Sequence, residues 1–224
     1  DPTPGQKNSD TAVNVSNEVV FSHGRGYYDE PVDLELSSTV PESVIRYTTN
    51  GAKPNDRSQI YIGPIRLTPA SSSGKRGVRT VRAMAFNSSV ASSPVSTHTY
   101  IWVNGTSDPQ STGVVGQSRF QSSIKNHPKY GPLINKGLLS LPAISITKPG
   151  GMSGSEGEAN LELISIDGSE TGFGIDCGMK IVGGASVGSA KNNFRCYFRS
   201  RYGSSKLRYP LFVGHPYTLS LIHI

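Results

Sequence analysis

From residue 19 onward, apolar and polar positions alternate in short bursts, and no long stretch repeats at helical spacing. Val19 to Phe21 opens the series. Val32, Leu34 and Leu36 alternate with Asp33 and Glu35, the pattern of a half-buried strand, and Ile45 and Tyr47 alternate with Arg46 and Thr48. Asn50-Gly51 follows as a type I′ turn signal, because both central positions of that turn need positive φ. Ile60 to Ile62 and Ile65 to Leu67 are separated by Gly63-Pro64, and Val78 to Phe86 and Val95 to Trp102 complete the set. Short strands at regular spacing with turn signals between them predict an antiparallel sandwich over residues 18–102.

The flanking segments read differently. Residues 1–17 are rich in Pro, Asn, Ser and Thr and predict a linker or the end of a preceding domain. Residues 103–138 read as a linker with one short helix near Gln117–Lys125, ended by Asn126-His127-Pro128. A second β region begins at residue 139. Leu141 to Thr147 is a strand candidate, KPGGMSGSEGE a loop, Ala159 to Ile166 an alternating strand, and Asp167-Gly168 a turn. Two further strands follow. Phe173, Ile175, Cys177, Met179 and Ile181 share one face of the first. Phe194, Cys196 and Phe198 share a face of the second, with Arg195, Tyr197, Arg199 and Arg201 opposite. One face of this hairpin is expected to be core and the other a basic-aromatic strip.

Charge sharpens that picture. The net charge of +6 divides into +1 for residues 1–102 and +5 for 103–224, so an anion-facing surface belongs to the second part. Between Lys191 and Arg208 stand six basic residues and no acidic one. Gly183, Gly184, Ser186, Gly188 and Ser189 make the connecting loop small, with backbone N–H groups able to approach an anion. Candidate phosphate-binding residues are therefore Lys191, Arg195, Gly183, Gly184 and Ser186. On the residues alone, a solvated sheet face explains the arginines equally well, and the loop matches neither common Gly-rich nucleotide motif.

Other chemistry is sparse. No apolar run is long enough for a membrane helix, so no membrane insertion is expected. The chain starts at Asp1 without Met and carries no signal peptide, which reads as a fragment. Cys177 and Cys196 fall on the apolar face of adjacent strands, as two buried thiols or as a cross-strand disulfide. No histidine stands at ligand spacing to either, so no metal site is expected. His23 and His98 are isolated and read as ordinary surface or strand residues.

Two resemblances add to this reading. VIRYTTNGAKP, YIGPIRL, VRTVRAMAF and VSTHTYIW resemble the chitobiase/β-hexosaminidase C-terminal-type module, a small immunoglobulin-like sandwich. That resemblance implies an accessory domain of multidomain secreted bacterial proteins, with no catalytic residues of its own. LPAISIT, GFGIDCGMKIVGGAS and NNFRCYFRSRYGSSKLRYPLF resemble the N-terminal part of the CotH-type (spore coat protein H) kinase domain over residues 139–212. This implies ATP and a divalent metal, magnesium or manganese, in the intact protein, with an exported or surface protein as the phosphate acceptor. The stretch between Thr147 and Glu158 is shorter than that family's pattern, and nothing after Phe212 is Asp, Glu or Asn. A phosphoryl-transfer site needs acidic groups for metal and acceptor, so no catalytic residue is assigned and the chain is expected to be inactive alone.

The expected fold class is thus mostly β: an Ig-like antiparallel β-sandwich followed by a truncated, β-rich (α+β) kinase-like N-terminal lobe. The expected location is secreted or cell surface. Residues 213–224 do not continue the pattern; PYTLSLIHI reads as a doubtful tail, either translated adapter sequence or a natural apolar edge strand. The competing function is a non-enzymatic surface, adhesion or carbohydrate-associated module with polysaccharide as partner, for which Tyr27, Tyr28 and Trp102 are the aromatic candidates. Nucleic-acid binding has no recognition motif behind it.

Overall fold

The computed structural model describes residues 17–69, 77–103, 122–166, 172–183, 193–209 and 219–220. The chain is mostly β. Among the described residues, nine strands lie in the first region: β1 (Val19–Phe21), β2 (Gly26–Tyr27), β3 (Val32–Leu34), β4 (Leu36–Ser38), β5 (Val44–Thr48), β6 (Gln59–Ile60), β7 (Ile65–Leu67), β8 (Val78–Phe86) and β9 (Ser96–Ile101). They form a five-stranded sheet in the order β2-β9-β8-β5-β6 and two small sheets, β1-β4 and β3-β7. All pairings are antiparallel except β2 with β9, which is parallel and caps one edge.

The alternation of Val32, Leu34 and Leu36 survives as burial, while Asp33 and Glu35 stay exposed. The hydrogen-bond ladder changes partner at Glu35, however. β3 pairs with β7 and β4 pairs with β1, so the expected single strand is two. Both pieces face the same core. Val19, Val32, Leu34, Leu36, Ile45, Leu67, Val81, Ala83, Ala85, Tyr100 and Trp102 form one buried cluster between the small sheets and the inner face of the large one. Trp102 is fully buried and donates Nε1–H to the Glu30 carbonyl at 2.8 Å. Its ring and that of Tyr28 lie 6.1 Å apart, so both are core residues rather than an open stacking platform. Asn17, expected at the end of the linker, is buried and donates its amide to the Ala91 carbonyl.

The Asn50-Gly51 signal marks a turn of another kind. Gly51 has φ +85°, but Asn50 is not among the positive-φ residues, so the type I′ turn is not formed. Asn50 Oδ1 instead accepts the Ala52 N–H, an Asx turn, and β5 pairs with β6 across the longer loop 49–58.

After residue 121 come α1 (Ser122–Lys125), a 3₁₀ turn (Gly131–Leu133) and α2 (Ile134–Leu138). The described part of the expected helix, 122–125, stops before Pro128 as anticipated; residues 117–121 lie outside the described residues. Strands β10 (Ala143–Thr147), β11 (Gly157–Ile164), β12 (Phe173–Val182) and β13 (Asn193–Tyr197) then form an antiparallel meander in that order. A further pair, β14 (Leu207–Arg208) with β15 (Leu219–Ser220), follows. The Asp167-Gly168 turn and most of the doubtful tail lie outside the described residues.

The meander has two unlike faces. Ala159, Leu161, Cys177, Met179 and Cys196 form its apolar cluster, with Phe173, Ile175, Phe194 and Phe198 packed against it, as the alternation predicts. The opposite face carries Ser145, Thr147, Glu158, Asn160, Glu162, Gly174 and Asp176, by register. That face packs on the outer face of β8 and β9, making the five-stranded sheet the middle of three layers. At one end of the seam Ile101 and Val103 meet Ile164, Leu138, Leu139 and Ala143 in a small apolar cluster.

Candidate functional site

The basic hairpin forms. Arg195 on β13 is exposed and lies directly opposite Lys180 on β12. Gly183, just after β12, has φ +137°, a conformation that favours glycine. Lys191, Gly184 and Ser186 lie outside the described residues. Cys177 and Cys196 are both buried and unbridged, and the Cys177 thiol donates toward Cys196. Cys196 faces Met179, so the two cysteines are diagonal neighbours. The thiol contact and then burial push Cys177 up, which removes it as a thiolate nucleophile.

The strip is less open than its composition suggests. Glu156, from the loop before β11, reaches across to it. Arg199 Nη2 lies 3.4 Å from Glu156 Oε2, Arg201 pairs with Oε1, and Tyr202 donates its hydroxyl to Oε1 at 2.9 Å. Gly178 makes room for this cluster, since a Cβ there would fall 2.4 Å from the Tyr202 ring. Arg199 also lies over the Tyr197 ring at 4.7 Å. Arg199 and Arg201 therefore share the single carboxylate of Glu156 and are partly neutralised. Lys180 and Arg195 are not: among the described residues neither has a carboxylate partner. Two like charges directly across a ladder repel, and an anion between them would relieve the repulsion.

The larger concentration of chemistry lies in the seam between the layers. Arg82, on the outer face of β8, is fully buried. It donates Nη2–H to Asp176 at 2.8 Å, Nη1–H to the Gly51 carbonyl at 3.0 Å and Nε–H to Thr97 at 3.2 Å, and lies 3.7 Å from Glu158. Asn160 also donates to Asp176 at 2.8 Å. A buried guanidinium must have its donors met, and here four different segments supply the partners.

Glu162 is the second pole. It is fully buried, accepts from Thr99, and lies 3.5 Å from Arg25 Nε. That approach is an ion pair without hydrogen-bond geometry, so Oε1 accepts no hydrogen bond among the described residues. Since Thr99 spends its one proton on Glu162, it must accept from Ser145 at 2.9 Å and from Thr80 at 3.0 Å. Thr147 in turn donates to Thr80. The hydroxyls thus point in sequence toward the carboxylate. Burial still dominates and pushes Glu162 up to about 7, against the opposing pull of Thr99, Arg25 and Arg82. His98, stacked on Phe21 at 4.1 Å, is pushed down to about 4 by burial and then by Arg25, so it is neutral near pH 7.

Beside these poles a polar cleft of about 230 Å³ opens between the layers, walled by Arg25, Thr97, His98, Asn160, Gly174 and Asp176 among others. Among the described residues no group of three or more His, Cys, Asp or Glu is placed to hold a metal ion. No helix of the described residues is long and apolar enough to cross a membrane.

The alternation in β8 and β9 contains a signal for the seam, a polar stripe along one face of both strands. Thr80, Arg82, Thr97 and Thr99 look like outward polar residues until a second polar face is laid on them.

The architecture defines a β-sandwich with a third β layer docked on its flank. Residues 23–97, roughly a third of the chain, match the family model of the chitobiase/beta-hexosaminidase C-terminal domain. The matched segment starts just after β1, ends inside β9, and contains Arg25, Arg82 and Thr97 but none of the residues of β10–β13. The search of curated proteins found no match, and neither did the search of solved structures.

Proposed function

We propose that the chain is an accessory sandwich of a secreted or cell-surface bacterial protein, carrying on its flank the phosphate-facing opening sheet of a CotH-type kinase lobe. The observation that carries this reading is the Lys180–Arg195 cross-strand pair of β12 and β13. Two cations without a carboxylate partner among the described residues, on strands joined by a sequence rich in small residues, suit a di- or triphosphate. The ionic seam supports the accessory role, because it fixes the sheet on the sandwich through buried partners from both. ATP with magnesium or manganese is the ligand implied, and the acceptor is an exported protein.

The test is a titration of the chain with ATP and magnesium, followed at the backbone amides of β12 and β13. Replacing Lys180 and Arg195 together by Ala should weaken binding by roughly 10- to 100-fold, as expected for losing charge-assisted hydrogen bonds. Unchanged affinity would remove the assignment. A second reading, a non-enzymatic carbohydrate-associated module, is supported by the family match over residues 23–97.

A further inference from the structure

Strand β13 ends the sheet order β10-β11-β12-β13, and among the described residues no strand or loop pairs with its outer edge. The backbone groups on that side form a template for one more strand. Both faces of the edge are unfinished. On one, Phe194 and Phe198 lie half-buried at the rim of the apolar cluster, flanking buried Cys196. On the other, Arg195 and Arg199 are exposed with Tyr197 between them. The Tyr197 ring lies 4.7 Å from the Arg199 guanidinium and 5.7 Å from Lys180 Nζ, which lines the cations up along the strip.

The two faces select the occupant. Side chains alternate along a strand, so an added strand sends every second residue to each face. Beside Phe194 and Phe198 it buries apolar side chains; beside Arg195 and Arg199 it needs carboxylates. Among the described residues, Glu156 is the one carboxylate that reaches this strip, and it meets Arg199 and Arg201, so the cations are in excess. A second copy of β13 does not fit, because like charges repel across a ladder. The sheet already holds a strand of the required pattern. In β11, Glu158 and Glu162 face the cations Arg82 and Arg25, while Ala159 and Leu161 join the apolar cluster. We infer that the outer edge of β13 takes an extended partner peptide of alternating apolar and acidic residues by strand addition. The backbone ladder supplies affinity, and Arg195 and Arg199 select the acids. This rests on the edge and both of its faces, not on the phosphate reading, which uses the Lys180–Arg195 pair alone.

The test is an amide NMR titration of the full chain with a capped peptide of four Val-Glu repeats. Val-Lys repeats, the same valines and glutamates in two blocks, and ATP with magnesium are run in parallel. Saturable shifts at residues 193–198 are expected from the alternating acidic peptide and from neither peptide control. N-methylating one alternate set of its amides should abolish binding, since only one set faces β13. Arg195→Gln should weaken binding by roughly tenfold. Arg195 is exposed, and thermal unfolding checks that the variant keeps its fold. No saturable shift up to about 1 mM peptide overturns the inference. So does equal binding of the block peptide, binding that survives N-methylation of either set, or an unchanged affinity in the folded variant. ATP shifts without peptide shifts overturn it and leave the phosphate reading standing; peptide shifts without ATP shifts do the reverse.

Discussion

The two faces of the five-stranded sheet are held by opposite means. The inner face buries Val81, Ala83, Ala85 and Tyr100 against the small sheets, a non-directional contact that tolerates small shifts. The outer face buries Arg82, Thr97 and Thr99 against Asp176, Asn160 and Glu162, where the contacts are directional hydrogen bonds and ion pairs. Apolar packing explains why the sandwich forms. The polar seam explains why the meander sits where it does, since an unmatched register would leave a guanidinium and a carboxylate buried without partners.

The largest expected effect comes from breaking the polar face. Arg82→Met leaves Asp176 without its buried partner and should cost about 3–5 kcal/mol in chemical denaturation. On the apolar face, Leu34→Ala should cost about 2–5 kcal/mol through lost burial and a cavity. The sharpening lies in salt and pH, which should modulate the stability of the outer face and leave the Leu34 effect unchanged.

The pH response separates the faces further. Glu162 has a folded-state value near 7, above its ordinary 4.5, so its contribution is fully present below 4.5 and is lost as pH rises through 7. His98 runs the other way. Its value near 4 lies below the ordinary 6.5, so its contribution is present above 6.5 and is lost as pH falls through 4. Arg25 faces both groups, with Arg82 and Thr99 also on Glu162. Between pH 4.5 and 6.5 the two slopes oppose each other and the native chain should be nearly flat. Glu162→Gln should leave stability rising with pH, and His98→Gln should leave it falling, each by up to about 3 kcal/mol. Parallel slopes in the two variants would contradict the assignment.

Much of this was legible in the chain, and the part that was not has a physical cause. Period-two alternation reports which residues are buried together, and it placed Val32, Leu34 and Leu36 and the Phe173–Met179 face correctly. It does not report the hydrogen-bond partner, which is why the ladder switch at Glu35 was invisible. It also treats a polar stripe as solvent-facing. Arg82, Thr97 and Thr99 are buried, and Thr80 half-buried, because a second polar stripe answers them, a long-range match that no local pattern contains. The run without acids from Lys191 to Arg208 hid its counter-ion for the same reason, since Glu156 arrives from a different loop.

Smaller effects follow. Gly51 has positive φ, and a Cβ there would fall 2.8 Å from Thr147 Cγ2 across the seam. Gly51→Ala should cost about 1–2 kcal/mol, and the loss should shrink when Thr147 is cut back to Ser. The Arg66–Asp33 pair, 2.6 Å long but more than half exposed on both sides, is the control. Arg66→Ala should change stability by less than about 1 kcal/mol.

The most direct test of the seam is a double-mutant cycle between Arg82→Met and Asp176→Asn, residues 94 positions apart in the chain. A coupling of about 1–3 kcal/mol, with the double variant less damaged than the sum of the two, is the predicted result. Additivity within about 0.5 kcal/mol would mean that the two faces do not meet through this pair, and the three-layer account would fail.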